Sequence, residues 1–119
     1  MTRKRDDIPG FAAAGAVLAG CAVALSAYAA HAGGDGVRER LYLAAAFAFG
    51  HGIALASLAT DVPRRLGRGA LVGLFLGTLL FAGSLAAGAL LGTATSLAPV
   101  GGSLLIAGWL VLAIDRLRG

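Results

Sequence analysis

The sequence predicts an all-α membrane protein: a four-transmembrane-helix up-down bundle with both termini on the cytoplasmic side. Three observations carry that expectation. Of the 119 residues, 58% are hydrophobic and only 13% are charged, about half the charged share of a soluble domain. A soluble chain of this length has too little interior to hide so much apolar surface. The charges collect in short clusters that leave four uncharged runs, each long enough to cross a hydrocarbon core of ~30 Å as a helix. The clusters are also asymmetric. Arg3, Lys4 and Arg5, then Arg64, Arg65 and Arg68, then Arg116 and Arg118 fall on one side of a four-span chain. Only Arg38 and Arg40 fall on the other, and the third connection has no charge. The positive-inside rule therefore puts both ends in the cytoplasm.

Residues 1–10 form a cytoplasmic arm, in which Pro9 suits the first turn of the following helix because its missing N–H costs nothing there. The first helix is expected over about 11–32. Within it Leu18-Ala19-Gly20-Cys21 resembles a lipoprotein cleavage box, and Ala27-Tyr28-Ala29 resembles a signal-peptidase site. The apolar run continues well past Cys21 and exceeds the usual leader core, so a retained helix is expected. Cys21 is the single cysteine, which excludes an intramolecular disulfide and leaves it as a small apolar helix residue.

Gly33, Gly34 and Gly36 end that helix, and Asp35 is the expected N-cap of the second, over about 36–60. Arg38, Glu39 and Arg40 occupy its interfacial turn, and His51 lies near its middle. Asp61-Val62-Pro63 stops it, because the residue before proline avoids the helical region. The third helix is expected over about 69–92. After an uncharged connection, Pro99 begins a fourth over about 98–115. Residues 11–115 thus make one transmembrane domain, with 116–119 as a cytoplasmic tail. The short connections make consecutive helices antiparallel neighbours.

The third helix organises the bundle. Gly69, Gly73 and Gly77 are four apart, and Ser84, Gly88 and Gly92 repeat that spacing two turns later, so all six share one broad stripe. Small residues on a common face let another backbone come close, and that contact drives helix association in lipid.

His51 is the most informative polar residue, because an ionisable side chain near the bilayer midplane needs a partner. A proton relay, a metal ligand, or a haem or quinone contact would use it. So would an ordinary interhelical hydrogen bond, for instance to Ser84 or to a carbonyl freed near a glycine. His31 lies about ten residues nearer the outer boundary, ~15 Å away along the helix axis, which disfavours a bis-His metal or haem site. It reads instead as an interfacial cap or surface histidine. Tyr28 and Tyr42 read as interfacial anchors, and Trp109 as an inner-belt anchor or packing residue.

Enzyme signatures are absent. No carboxylate lies inside a span, no HExxH or CxxC occurs, and no Ser-His-Asp set meets at one depth. Ser26, Ser57, Thr78 and Ser84 are membrane hydroxyls that bond back to their own helix in most settings. The glycines follow four-residue spacing and not the phosphate-binding GxGxxG pattern. No intramembrane charge pair of the transporter kind is present. The basic residues flank apolar runs without interleaved aromatics, so nucleic-acid binding is not expected. Neither a metal nor a cofactor is expected.

The second half of the chain resembles a known family. Phe81-Ala82-Gly83-Ser84-Leu85, then Ala98-Pro99-Val100-Gly101-Gly102, then Ala107-Gly108-Trp109 is similar to the signature of the YgdD-like small inner-membrane proteins. That family is domain of unknown function 423 and is related to the eukaryotic transmembrane protein 256. Ser26-Ala27-Tyr28-Ala29-Ala30-His31 resembles its Gly-Ala-Phe-Gly-Ala-His segment, and His51 with Ala54 and Leu55 resembles its second histidine. The chain departs from the pattern in its short first connection, in alanines before His31, and in Phe47 and Gly50 where tyrosines are usual. The resemblance implies a four-helix inner-membrane protein without an established activity. Two functions follow as expectations. The first is a non-enzymatic structural or accessory subunit that binds a membrane partner or itself through small-residue faces. The second is a small pore, carrier or redox accessory using a polar path at His51 and Ser84.

Overall fold

The computed structural model describes residues 9–32, 34–59, 62 and 64–118. Four helices account for nearly all of them: α1 (Pro9–Ala30), α2 (Asp35–Leu58), α3 (Arg65–Leu91) and α4 (Ala98–Arg118). All four are long and apolar enough to cross a membrane. The long dimension of the fold is 49 Å, matching the ~40–45 Å of a bilayer with its headgroups.

The ends of the helices differ from the sequence expectation in instructive ways. Gly34, not Asp35, is the N-cap of α2, at φ 85°, a conformation that suits glycine. Asp35 is the first helical residue. The third helix begins a full turn before Gly69, at Arg65, and takes in Arg68, since a long basic side chain can lay its stem along apolar surface at a helix end and so continue the helix. At its other end Gly92 takes φ 71° and its N–H bonds to the Gly88 carbonyl at 3.1 Å. Gly92 is therefore a left-handed C-cap and not a packing residue. The fourth helix runs through Asp115 to Arg118, so the expected tail at 116–118 is helical. The basic arm at 1–8, together with Gly33, Thr60, Asp61, Pro63 and Gly119, lies outside the described residues.

Helix α1 packs on α2 and α3 on α4, with α2 and α3 forming a lesser seam between the two pairs. Backbone contact defines both pairs. A Cβ added at Gly15 would lie 2.5 Å from the Gly52 carbonyl oxygen, and one added at Gly52 would lie 2.6 Å from that of Gly15. Across α3 and α4, a Cβ at Gly77 would lie 3.0 Å from the Gly101 oxygen, and one at Gly101 would run into the Phe81 nitrogen. Gly108 meets Leu74 and the Ala70 carbonyl. No side chain fits at these crossings.

Two clusters fill the remaining interior. Leu55, Ala59, Val62, Leu71, Leu74 and Leu105 are joined by Phe11, Phe47, Phe75 and Phe81. Phe11 meets Phe75 edge to face, with centroids 5.5 Å apart. The other cluster is nearly all alanine: Ala22, Ala44, Ala45, Ala48 and Ala82, edged by Leu25 and Leu85. One half of the bundle is packed by large side chains, the other by small ones.

Gly101→Val is expected to lower unfolding stability in detergent by about 2 kcal/mol, since overpacked sites relax only by moving backbone. Gly69→Ala, with nothing within 4 Å of the added methyl, should change it by no more than about 0.5 kcal/mol. Denaturant titration of both variants followed by circular dichroism tests the pair.

Candidate functional site

The polar site is built on α2. Phe47 and His51 are one helical turn apart, which stacks their rings 9° from parallel at 5.8 Å. That turn also sets His51 Nδ1 2.8 Å from the Phe47 carbonyl oxygen. From α4, Trp109 places its indole Nε1 3.0 Å from His51 Nε2. Phe81 of α3 completes the group, 4.6 Å from the Phe47 ring. It lies over Gly102, where an added Cβ would come within 3.6 Å of its ring.

Donor and acceptor chemistry fixes the tautomer. An indole nitrogen only donates, so His51 Nε2 accepts. The proton of the neutral ring then sits on Nδ1 and donates to the Phe47 carbonyl. Both ring nitrogens are used. Trp109 is 41% exposed and His51 half-buried, so the bond lies toward the lipid side of the helices. Hydrocarbon offers no competing partner, and an indole N–H or imidazole nitrogen left alone there would carry its full desolvation cost.

The sequence grouped His51 with Ser84 and His31, and the structure pairs it with neither. Its partners are Trp109 and Phe47. His31 is exposed in the turn after α1, its backbone N–H bonded to the Tyr28 carbonyl at 3.0 Å. The Ser84 hydroxyl is buried and has no hydrogen-bond partner among the described residues. By contrast, Thr78 bonds back to the Leu74 carbonyl at 2.7 Å and Ser103 to that of Pro99 at 2.9 Å.

The third-helix stripe divides into different roles. Gly77 is at a tight crossing and Gly73 at a looser one, 3.8 Å from Gly108 Cα to an added Cβ. Gly88 packs against Thr93 and Thr95 of the connection. A Cβ added at Gly69 would meet nothing within 4 Å among the described residues, and Gly92 is the cap, so these two depart from the expected packing face. Of the residues that carry the family resemblance, Gly101, Gly102, Gly108 and Trp109 gather where α4 meets Phe81, Leu74 and His51. Leu85 edges the alanine cluster, Gly83 faces outward, and Pro99 lies in the first turn of α4.

A second polar group was hidden from sequence reasoning. Asp115 is only 2% exposed. Arg64, at the N-cap of α3, donates to the Asp115 carbonyl at 2.8 Å and the Arg118 carbonyl at 3.3 Å. Its guanidinium also stands 3.8 Å from Asp115 Oδ1. Arg64 thereby covers carbonyls that end α4 without helical partners. Gly67 makes the room, since a Cβ there would fall 2.7 Å from Asp115 Oδ2. The signal available was an acid among arginines at a helix end, which reads equally well as a hydrated tail.

Among the described residues, no group of three or more His, Cys, Asp or Glu side chains is placed to hold a metal. No protein-family model, no curated protein and no solved structure matches the chain.

Nitrogen NMR of ring-labelled protein in detergent should show one His51 tautomer, protonated at Nδ1 and bare at Nε2. In Trp109→Phe the Phe47 carbonyl should keep the proton on Nδ1 while the Nε2 resonance shifts on loss of its donor, with a stability loss of about 1 kcal/mol. A wild-type ring protonated at Nε2 would contradict the assignment.

Proposed function

We propose that this chain is a non-enzymatic structural or accessory subunit of a bacterial-type inner (cytoplasmic) membrane, bound to a membrane-protein partner or to copies of itself through small-residue helix faces. The observation that carries this reading is a set of glycines with no internal use. Gly20, Gly50, Gly69 and Gly83 all lie in helices, and a Cβ added at any of them would meet nothing within 4 Å. Glycine weakens a helix interior, and in lipid its compensation is close approach by another helix. Helix α1 is the most open, with 11% of its span buried against 33% for each of the others. The closure of both His51 nitrogens by Trp109 and Phe47 also favours a cohesive role for that histidine over a ligand-binding one.

The proposed topology is an up-down bundle with both termini cytoplasmic. The pairing of Gly67 with Asp115 and of Gly77 with Gly101 runs in opposite senses along α3 and α4, which supports antiparallel neighbours. The arginine asymmetry supports the sidedness. Membership of the YgdD-like family belongs to the same proposal, resting on the residues that resemble its signature.

A second reading keeps the pore, carrier or redox accessory in view, because the buried Ser84 hydroxyl lacks a partner among the described residues. In that reading His51→Phe abolishes proton or solute flux in liposomes while the protein stays folded, and a haem form shows a Soret band.

Native mass spectrometry after mild-detergent extraction should find the chain in an assembly, and Gly83→Leu should release the monomer without lowering its thermal stability. A strictly monomeric wild-type protein would overturn the subunit reading. For the topology, cysteines placed at Thr2 and Arg118 in a Cys21→Ala background should be shielded from an impermeant maleimide in intact cells. One placed at Gly36 should react.

A further inference from the structure

The alanine half of the bundle leaves space that its own side chains do not fill. Between α1 and α2 runs an open groove of about 640 Å³, walled by Ala22, Ala27 and Ala30 on one side and by Tyr42, Ala46 and Phe49 on the other. From Tyr42 to Phe49 it extends about 10 Å along the helix axis, and from Ala22 to Ala30 about 12 Å. One leaflet contributes about 15 Å of hydrocarbon, so the groove has the depth of a single leaflet. It faces outward at residues such as Ala27, Ala30 and Ala46, all of them exposed.

One end of the groove carries charge. Arg38 lies one helical turn before Tyr42 and so shares its face of α2. Its Nη2 donates to the Ala32 carbonyl at 2.9 Å, which ties the guanidinium across the end of α1 beside Ala30. A guanidinium has five N–H donors, and the side chain is exposed. An apolar channel one leaflet deep thus ends beneath an anchored cation.

We propose that the α1–α2 groove binds one acyl chain of a membrane phospholipid, with the phosphate of that lipid at Arg38. Hydrocarbon in the groove restores dispersion contacts that the alanines lack toward one another. The phosphate takes charge-assisted hydrogen bonds from the remaining guanidinium donors. Charge complementarity selects this occupant over a second copy of the chain. A twofold-related copy seated in the same groove would share the membrane depth of its mate and would bring two Arg38 side chains face to face. The inference is independent of the subunit reading, since the groove lies inside one chain.

Native mass spectrometry of the full chain, released from mild detergent and titrated with palmitoyl-oleoyl phosphatidylglycerol, tests the site. The wild-type protein should retain one lipid per chain after delipidating washes. Ala27→Leu with Ala46→Leu alters two exposed residues and should remove that lipid while thermal unfolding in detergent stays unchanged. Arg38→Gln should weaken retention about fivefold, and Arg38→Lys should restore most of it. Equal retention by the wild type and the Leu double variant would overturn the groove assignment. Equal retention by wild type and Arg38→Gln would overturn the phosphate assignment. A lipid-free wild-type dimer that the Leu variant dissociates would assign the groove to a second copy instead.

Discussion

In a membrane, apolar side chains gain nothing by leaving lipid for protein, so the fold depends on how closely backbones can approach. That constraint is met at two crossings. Gly15 opposes Gly52, and Gly77 opposes Gly101 beside Phe81. At each, the added methyl of an alanine would fall at or inside 3.0 Å of a neighbouring backbone atom. The positions of the larger side chains follow from these contacts. Leu74 reaches Gly108, and Phe81 reaches Gly102, only because α3 and α4 are already close.

The polar groups act at the margins of those contacts. His51 and Trp109 join α2 to α4, two helices that are not neighbours in sequence. Arg64 joins the start of α3 to the last carbonyls of α4 and shields the buried Asp115. Each link uses a donor on one helix and an acceptor on another, and the one between His51 and Trp109 gains most because hydrocarbon offers neither group a competing partner. Together they fix register where glycine contacts alone would permit sliding.

The four helices and their approximate limits were legible in the sequence, because uncharged runs bounded by arginine, glycine and proline carry that information locally. The pairings were not. Gly15 and Gly52 follow the same small-residue logic as the third-helix glycines, but an alanine-rich first helix offers many equivalent faces and no contrast. His51 stood out by its depth, while its partner lay 58 residues away in a tryptophan that read equally well as an interfacial anchor. The stripe from Gly69 to Gly92 looked uniform because periodicity records direction and not distance. One end of it faces outward, and the other ends the helix. The burial of Asp115 was not legible for a related reason: burial at a helix terminus depends on a glycine opposite, here Gly67, far away in the chain.

The division into α1–α2 and α3–α4 bears on how the protein is made. Both pairs consist of helices adjacent in the chain, so the tightest crossings close over short stretches of polypeptide. The first pair can dock as soon as α2 leaves the translocation channel, before α3 and α4 have been synthesised. The contact between the pairs, crossed by the histidine–tryptophan bond, is then the last part of the molecule to assemble.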